Sequence, residues 1–182
     1  LTVGIEFKGR VVALPMRFRN QGDELVYCTP DESVAADLDF LKYAARINVE
    51  LLYPMSGLET EEPILQPGRI DVLLGQGQTA QVLRNLCLMV AKDTPDDWGR
   101  VVALMHRLFN VMLETPQETT RGAIEMRYRQ PGVREALDVS SSGRGFQQML
   151  LIFAYLYSHK HSVLLVDEPD AHLEILRQKQ VY

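Results

Sequence analysis

Residues 139–174 decide the fold, and they read V-S-S-S-G-R-G-F-Q-Q-M-L-L-I-F-A-Y-L-Y-S-H-K-H-S-V-L-L-V-D-E-P-D-A-H-L-E. Small residues at 140–145 form a turn, and residues 146–157 carry apolar side chains on all sides, which predicts a buried helix. After a short polar turn, residues 162–166 form a run that is apolar after its first residue, Ser162, and contains two β-branched valines. This run is too short for a buried helix and predicts a strand covered on both faces, as in a parallel sheet.

Two adjacent carboxylates, Asp167 and Glu168, follow this strand. In open α/β sheets, ligands bind outside the carboxyl ends of the strands. A carboxylate there can hold Mg²⁺ through its water shell, and a second can orient or deprotonate a water beside a γ-phosphate. Neighbouring residues on a strand point in opposite directions, so the pair can divide these roles. The alternative is a solvated acidic turn after an ordinary strand, because matches to such short motifs are common.

The Ser/Gly turn before the helix predicts contact with phosphate. A turn of this kind presents free backbone N–H groups and the positive end of the helix macrodipole. The alternative is a simple N-cap, for which serine is a preferred residue, and one serine can serve both purposes. The turn, the helix, the strand and the following D-E-P-D-A-H-L-E stand in a fixed order, which is far more specific than either half alone.

This order resembles the signature motif, Walker B strand and D-loop of ABC-type ATPases, and most closely the soluble SMC/RecF/OLD-like branch. The resemblance implies an α/β fold, a partial P-loop NTPase head with an N-terminal antiparallel β meander and a helical lobe. It also implies ATP and Mg²⁺ as cofactors and a homodimer whose two heads sandwich ATP.

This resemblance places five residues on the Walker B and signature motifs. Asp167 resembles the Walker B aspartate that holds the magnesium-bound water, and Glu168 resembles the catalytic glutamate that polarises the attacking water. Ser142, Gly143 and Gly145 resemble the signature motif, which contacts the γ-phosphate of the nucleotide held by the opposite subunit.

The D-loop and a departure from the signature pattern complete the resemblance. Asp170, His172 and Glu174 resemble the D-loop, which crosses the dimer interface in this family. The signature pattern departs from L-S-G-G-Q, because Arg144 separates the two glycines and Phe146 stands where a polar residue is usual. The register of the key serine is therefore open by a residue or two.

A P-loop is missing from these residues. The pattern G-x-x-x-x-G-K-[ST] does not occur, and no lysine follows a glycine. The chain begins inside a strand-like segment and stops inside a predicted helix. We therefore expect a fragment of a longer ATPase with its P-loop upstream, and we expect these residues alone to bind ATP weakly or not at all.

Composition indicates a globular protein and restricts its partners. Hydrophobic residues make up 46% and charged residues 24%, and the length suits one domain with a real core. Cys28 and Cys87 are far apart in apolar contexts, which predicts reduced core cysteines of a cytoplasmic protein. No membrane-length apolar run or signal-peptide pattern is present. The net charge of −5 argues against a nucleic-acid footprint over the whole chain, while DNA binding by a longer parent stays open.

The other segments suggest three parts. Residues 1–53 alternate as an antiparallel meander followed by a helix over about residues 31–45 and a strand, and form the β-rich part of the head. Residues 54–118 form a helical lobe or insert, in which Thr94-Pro95-Asp96-Asp97 starts a helix that runs to about residue 113. Residues 119–182 hold the signature motif, Walker B strand and D-loop.

Two clusters of like charge lie outside the main motif. The acidic run Glu59, Glu61 and Glu62 predicts a solvated surface loop, and the less favoured alternative is a cation-binding cluster. The basic residues, Arg127, Arg129 and Arg134, predict either an exposed strand face or a surface for nucleic acid or a partner's acids.

Three functional hypotheses follow. The first is an ATP-hydrolysing head that acts as a nucleotide-sandwich dimer in DNA repair, DNA maintenance or phage defence. The second is a metal-dependent nuclease or phosphotransferase with Asp167, Glu168 and Asp170 as ligands. The third is a non-catalytic dimerisation module that binds no nucleotide.

Overall fold

The computed structural model describes residues 2–20, 26–55, 57–160 and 162–166, and it is a mixed α/β structure. The chain divides into two compact units, Leu1–Asn48 and Val49–Tyr182. None of the described helices combines the length and the apolar character needed to cross a membrane.

The first unit contains the predicted antiparallel meander. Its strands are β1 (Thr2–Phe7), β2 (Arg10–Asn20) and β3 (Val26–Pro30), paired in the order β1-β2-β3. Lys8 and Gly9 join β1 to β2 with φ angles of 50° and 76°. Positive φ at both central residues is typical of a two-residue hairpin turn that matches the twist of its strands.

The helix predicted over about residues 31–45 is wrong as a single element. The structure has two short helices instead, α1 (Glu32–Ala35) and α2 (Leu38–Ala44). The Asp31 carboxylate accepts a hydrogen bond from the Ser33 N–H, and the Asp37 carboxylate accepts one from the Phe40 N–H. Because aspartate is favoured at an N-cap and unfavourable inside a helix, Asp37 starts a new helix and does not continue the first.

The second unit is built from helices and short strands. After β4 (Asn48–Leu52), which joins the two units, its elements in order are α3 (Pro67–Gly75), α4 (Leu83–Asp93), α5 (Pro95–Phe109), β5 (Met112–Leu113), β6 (Gln117–Glu118), β7 (Ile124–Glu125), β8 (Arg127–Arg129), β9 (Leu137–Asp138), α6 (Arg144–Ser158) and β10 (Ser162–Val166). Strands β5, β8 and β9 form one antiparallel sheet, β6 pairs with β7, and β10 pairs with β4.

Helix α6 is the buried helix that the sequence predicts. Leu150, Leu151 and Ala154 are fully buried, and α6 packs against α4 and α5. This packing places the start of α6, where the predicted signature turn lies, against the core of the unit. Cys87 of α4 is a buried free thiol, as expected.

Helix α5 begins as predicted but ends earlier. Thr94 is its N-cap residue, Pro95 is its first residue and two aspartates lie in the first turn. The helix ends at Phe109 because Asn110 adopts a left-handed conformation with φ of 55°, a common helix terminator. Met112, which falls within the longer predicted helix, therefore belongs to β5 and is 63% exposed.

Strand β10 has the predicted bounds but not the predicted coverage. Leu164 and Val166 pack against the core, whereas Val163 and Leu165 are 48% and 51% exposed. In the described part of the chain β10 has one neighbouring strand, β4. One face of the strand is thus covered here, and the expectation of coverage on both faces is wrong for these residues.

Candidate functional site

The candidate site is the turn between β9 and α6, residues 138–146. It contains three of the residues predicted to contact nucleotide, Ser142, Gly143 and Gly145. The other predicted residues lie outside the described residues: Asp167, Glu168, Asp170, His172 and Glu174. The described part of β10 ends at Val166, directly before the predicted metal and catalytic carboxylates.

Asp138 organises the beginning of the turn. One of its carboxylate oxygens, Oδ1, accepts hydrogen bonds from the Ser140 backbone N–H at 2.8 Å and from the Ser140 hydroxyl at 2.6 Å. Its backbone carbonyl accepts a hydrogen bond from the Ser141 hydroxyl at 2.6 Å. Short polar side chains close turns in this way, and here they stabilise the 3₁₀ turn Val139–Ser141.

The three serine hydroxyls donate their hydrogen bonds to acceptors within the turn. The Ser142 hydroxyl donates to the Val139 carbonyl at 2.6 Å, and the other two serines donate to Asp138. A hydroxyl has a single proton to donate. Ser142 must therefore rotate away from Val139 before it can donate a hydrogen bond to a phosphate oxygen.

Gln147 ties the turn to the first turn of α6. Its side-chain Nε2 donates to the carbonyls of Ser142, Val139 and Ser140 at 3.1, 3.2 and 3.3 Å. Gln147 is buried, and its Oε1 has no hydrogen-bond partner among the described residues. Sequence analysis missed this residue, although a pair of glutamines inside an otherwise apolar helix was a visible signal.

The N-terminus of α6 is uncapped by any side chain. Gly143 is the N-cap residue, with extended backbone angles, and no side chain accepts from the first helical N–H groups. The N–H groups of Arg144, Gly145 and Phe146 have no acceptor within the helix, since the first helical bond runs from the Gln147 N–H to the Gly143 carbonyl. Gly143 is exposed, and a Cβ built on it meets no atom within 4 Å, whereas Gly145 in the first turn is buried.

Phe146 explains one departure from the signature pattern. Its ring is buried between the rings of Phe109 and Tyr128, with centroid distances of 5.1 and 5.2 Å. An aromatic side chain here anchors the start of α6 to the core and does not face the turn. The exposed Arg144 is the charged side chain at this helix end.

A buried arginine that sequence analysis also missed lies behind the turn. Arg84 of α4 is 1% exposed, and its Nη2 donates to the same Asp138 Oδ1 at 2.7 Å. Its Nη1 donates to the Glu59 carbonyl at 2.9 Å. No sequence signal distinguishes Arg84 from an ordinary exposed arginine, because its partner lies far away in the chain.

Glu62 is a buried cap of α4, and its assignment to a solvated acidic loop is wrong. Its carboxylate accepts from the Arg84 backbone N–H at 2.9 Å and from the Asn85 backbone and side-chain N–H groups, both at 2.7 Å. Burial raises the pKa of the Glu62 carboxyl, while these N–H donors and the Arg84 charge act in the opposite direction. The carboxylate satisfies N–H groups at the positive end of a helix whose own N-cap residue, Val82, makes no side-chain cap.

In the predicted basic patch, neighbouring glutamates balance the charge of two of the three arginines. Arg127 pairs with Glu125, and Arg129 pairs with Glu114 at 2.7 Å. Arg129 also donates to the Arg134 carbonyl at 3.3 Å. Since acids offset two of the three arginines, this face provides little net positive charge for nucleic acid.

The N–H groups at the start of α6 are hydrogen-bond donors of the kind that suits an anion. Within the described residues, no group of three or more His, Cys, Asp or Glu side chains is placed to hold a metal ion. No protein-family model matches the chain, and a search of curated proteins found no match.

Proposed function

We propose that this chain is part of an ABC-type, SMC/RecF/OLD-like ATPase that acts as a nucleotide-sandwich dimer. The observation that carries the proposal is the turn at residues 138–146. It presents an open, uncapped helix N-terminus immediately before a buried helix and a strand that leads to Asp167 and Glu168.

The polar groups of the turn favour an anion over a cation. Three of its carbonyl oxygens, which would repel phosphate, already accept hydrogen bonds from Gln147. The one carboxylate in the turn, on Asp138, is paired with Arg84. The N–H groups at the start of α6 are left for a ligand, and the helix dipole adds to their attraction for negative charge.

In the proposed mechanism, the two halves of each site come from different subunits. ATP would be held by a P-loop, which these 182 residues lack, Asp167 would hold Mg²⁺ through a bound water, and Glu168 would polarise the water that attacks the γ-phosphorus. The P–O bond to ADP then breaks, while the turn of the opposite subunit stabilises charge on the γ-phosphate oxygens. The turn contributes Ser142, Gly143 and Gly145.

The proposed partners are a second copy of the same protein and DNA. Asp170, His172 and Glu174 would correspond to the D-loop, which crosses the dimer interface in ATPases of this type. ATP hydrolysis drives engagement and release of the two heads on DNA, in repair, maintenance or phage defence.

The test is ATP turnover by the full-length protein that contains this chain, beside its Glu168→Gln variant. We expect turnover to fall by roughly a hundredfold or more, because a positioned general base contributes about that much. ATP binding should persist, and the ATP-bound dimer should accumulate in size-exclusion chromatography. Glu135→Gln, a change at an exposed glutamate, is the matched control.

Two outcomes would contradict the proposal. Turnover at the parent rate in the Glu168→Gln variant would show that Glu168 does not take part in catalysis. Cleavage of nucleic acid with Mg²⁺ or Mn²⁺ in the absence of ATP would favour the metal-dependent nuclease, in which Asp167, Glu168 and Asp170 are ligands.

A further inference from the structure

We propose that Arg84 is the positioning residue of the candidate site, fixing the turn before α6 through Asp138. Its effect on catalysis rests on the proposed ATPase function, whereas its effect on the turn does not. Arg84 lies in α4, 54 residues before Asp138 in the chain, so this contact is a tertiary link and not a local feature of the turn.

A single carboxylate oxygen connects Arg84 to the turn. Asp138 Oδ1 receives the Arg84 guanidinium at 2.7 Å, the Ser140 N–H at 2.8 Å and the Ser140 hydroxyl at 2.6 Å. The guanidinium therefore fixes the position of the oxygen that holds the backbone of the turn. Charge-assisted hydrogen bonds of this type are stronger than neutral ones.

Arg84 is itself held in place by its surroundings. Its backbone N–H donates to Glu62, and its Nη1 donates to the Glu59 carbonyl. Glu59 and Glu62 belong to the segment that follows β4, so Arg84 links that segment to the turn. The two Nη atoms donate to two different acceptors, the Glu59 carbonyl and the Asp138 carboxylate. A lysine ammonium cannot reproduce this pair of hydrogen bonds in the same geometry.

The burial of Arg84 indicates that the contact with Asp138 is more than surface pairing. Its Nε is buried and has no hydrogen-bond partner among the described residues. An unsatisfied buried donor is costly, and a buried charge needs its partner. The fold keeps this arginine inside the unit, where its guanidinium reaches a carboxylate that is 35% exposed at the candidate site.

In an ATPase, the contact between Arg84 and Asp138 would control the direction of the N–H groups at the start of α6. The N–H groups of Arg144, Gly145 and Phe146 follow directly from the turn, so their direction depends on how Asp138 is held. Loss of the Arg84 contact should misplace donors that act on the γ-phosphate in the transition state. ATP binding by the P-loop of the same subunit should change little, and kcat should fall while KM is kept.

The experiment uses the full-length protein with three variants: Arg84→Met, Asp138→Asn and the double variant. Arg129→Met, at the exposed Arg129–Glu114 pair, is the control. Amide hydrogen exchange at Ser140 and Ser142, whose backbone N–H groups are hydrogen-bonded inside the turn, and the steady-state kinetics of ATP hydrolysis are measured for each. Asp138→Asn removes a partly exposed charge with little change in shape, so it tests the proposal even if Arg84→Met does not fold.

We expect Asp138→Asn to raise exchange at Ser140 and Ser142 roughly tenfold or more, the size of effect that a hydrogen bond to a charged group has. Exchange in the second half of α6 should stay unchanged. The double variant should show little more than either single variant, because both remove the same contact. The kcat should fall roughly tenfold with KM within about twofold of the parent, and Arg129→Met should match the parent.

Unchanged exchange at the turn in Asp138→Asn would overturn the proposal, even in an active ATPase. Raised exchange with parental kcat and KM would overturn the positioning role. A parent protein without ATP turnover would instead contradict the proposed function, and the exchange measurement would then decide the role of Arg84 alone.

Discussion

Glu62 shows how one buried carboxylate supports the structure around the candidate site. It accepts three N–H groups at the start of α4, including the backbone N–H of Arg84. Its loss would leave those donors buried without an acceptor and disturb the residue that holds Asp138. The hydrogen bonds from these three N–H groups therefore stabilise the carboxylate in the interior.

Replacing Glu62 with alanine should destabilise the protein strongly. We expect a loss of about 3 kcal/mol in the free energy of unfolding, because each unsatisfied buried donor costs about 1–3 kcal/mol. Urea unfolding followed by circular dichroism measures this value. Glu61→Ala is the control at a neighbouring exposed acid and should stay within about 0.5 kcal/mol of the parent; an equal loss in both variants would contradict the buried-cap assignment.

Asp97 provides a test in acid. It lies in the first turn of α5, with its Oδ2 2.5 Å from the Lys160 ammonium and its Oδ1 3.3 Å from the Arg100 guanidinium. The hydrogen bond from Lys160 holds the pKa of Asp97 below its usual range. The ionised form is therefore favoured in the folded protein, so its contribution to stability is present above about pH 4 and is lost as the pH falls through the lowered pKa.

We expect Asp97→Asn to be less stable than the parent at about pH 7 and to approach it at about pH 2.5. Thermal unfolding across this range measures the difference, and Asp96→Asn in the same helical turn is the control. A gap between parent and Asp97→Asn that is constant with pH, or that widens in acid, would contradict the ion pair with Lys160.

At the scale of elements, α6 and its N-terminus hold the candidate site in place. The helix is anchored by core residues along its length and by Phe146 at its start. Its N-cap is glycine, although a side-chain acceptor there would stabilise the helix. A helix end kept open in this way suits a ligand whose own oxygens act as the cap.

Gly143→Asp should separate stability from function. A Cβ at position 143 meets no atom within 4 Å, and aspartate is a favourable N-cap residue. We expect the melting temperature to be kept or to rise, while the added carboxylate repels phosphate and ATP turnover falls roughly a hundredfold or more. Gly75→Asp is the control at an open glycine away from this turn, and parental turnover in Gly143→Asp would show that no anion binds at this helix end.

The elements that sequence predicted well are those with strong local signals. Residues 146–157 are apolar on all sides, Thr94-Pro95 starts a helix, and the valine-rich run gives β10 the observed bounds. Tertiary contacts determine the features that were missed. Nothing near Arg84 or Glu62 in the sequence shows that each has a distant partner, and the break at Asp37 depends on one capping hydrogen bond.

At the scale of the whole molecule, the proposed ATPase function needs groups from two separate parts of this chain. The turn before α6 offers N–H donors to a phosphate, and the proposed water-activating carboxylates follow β10 in the sequence. In a nucleotide-sandwich dimer these two halves serve different ATP molecules. If the turn of one subunit completes the site of the other, as we propose, defects in the two halves should complement each other when subunits mix.

The measurement that tests this most directly is ATP turnover by a mixture of two inactive full-length variants, Gly143→Asp and Glu168→Gln. In a mixed dimer, one site combines the intact Glu168 of the first variant with the intact turn of the second, while the other site is defective in both halves. We predict that mixing restores a substantial fraction of parental turnover, although each variant alone is inactive. Two folded, ATP-binding variants that stay inactive after subunit exchange is confirmed would contradict a turn that acts across the dimer.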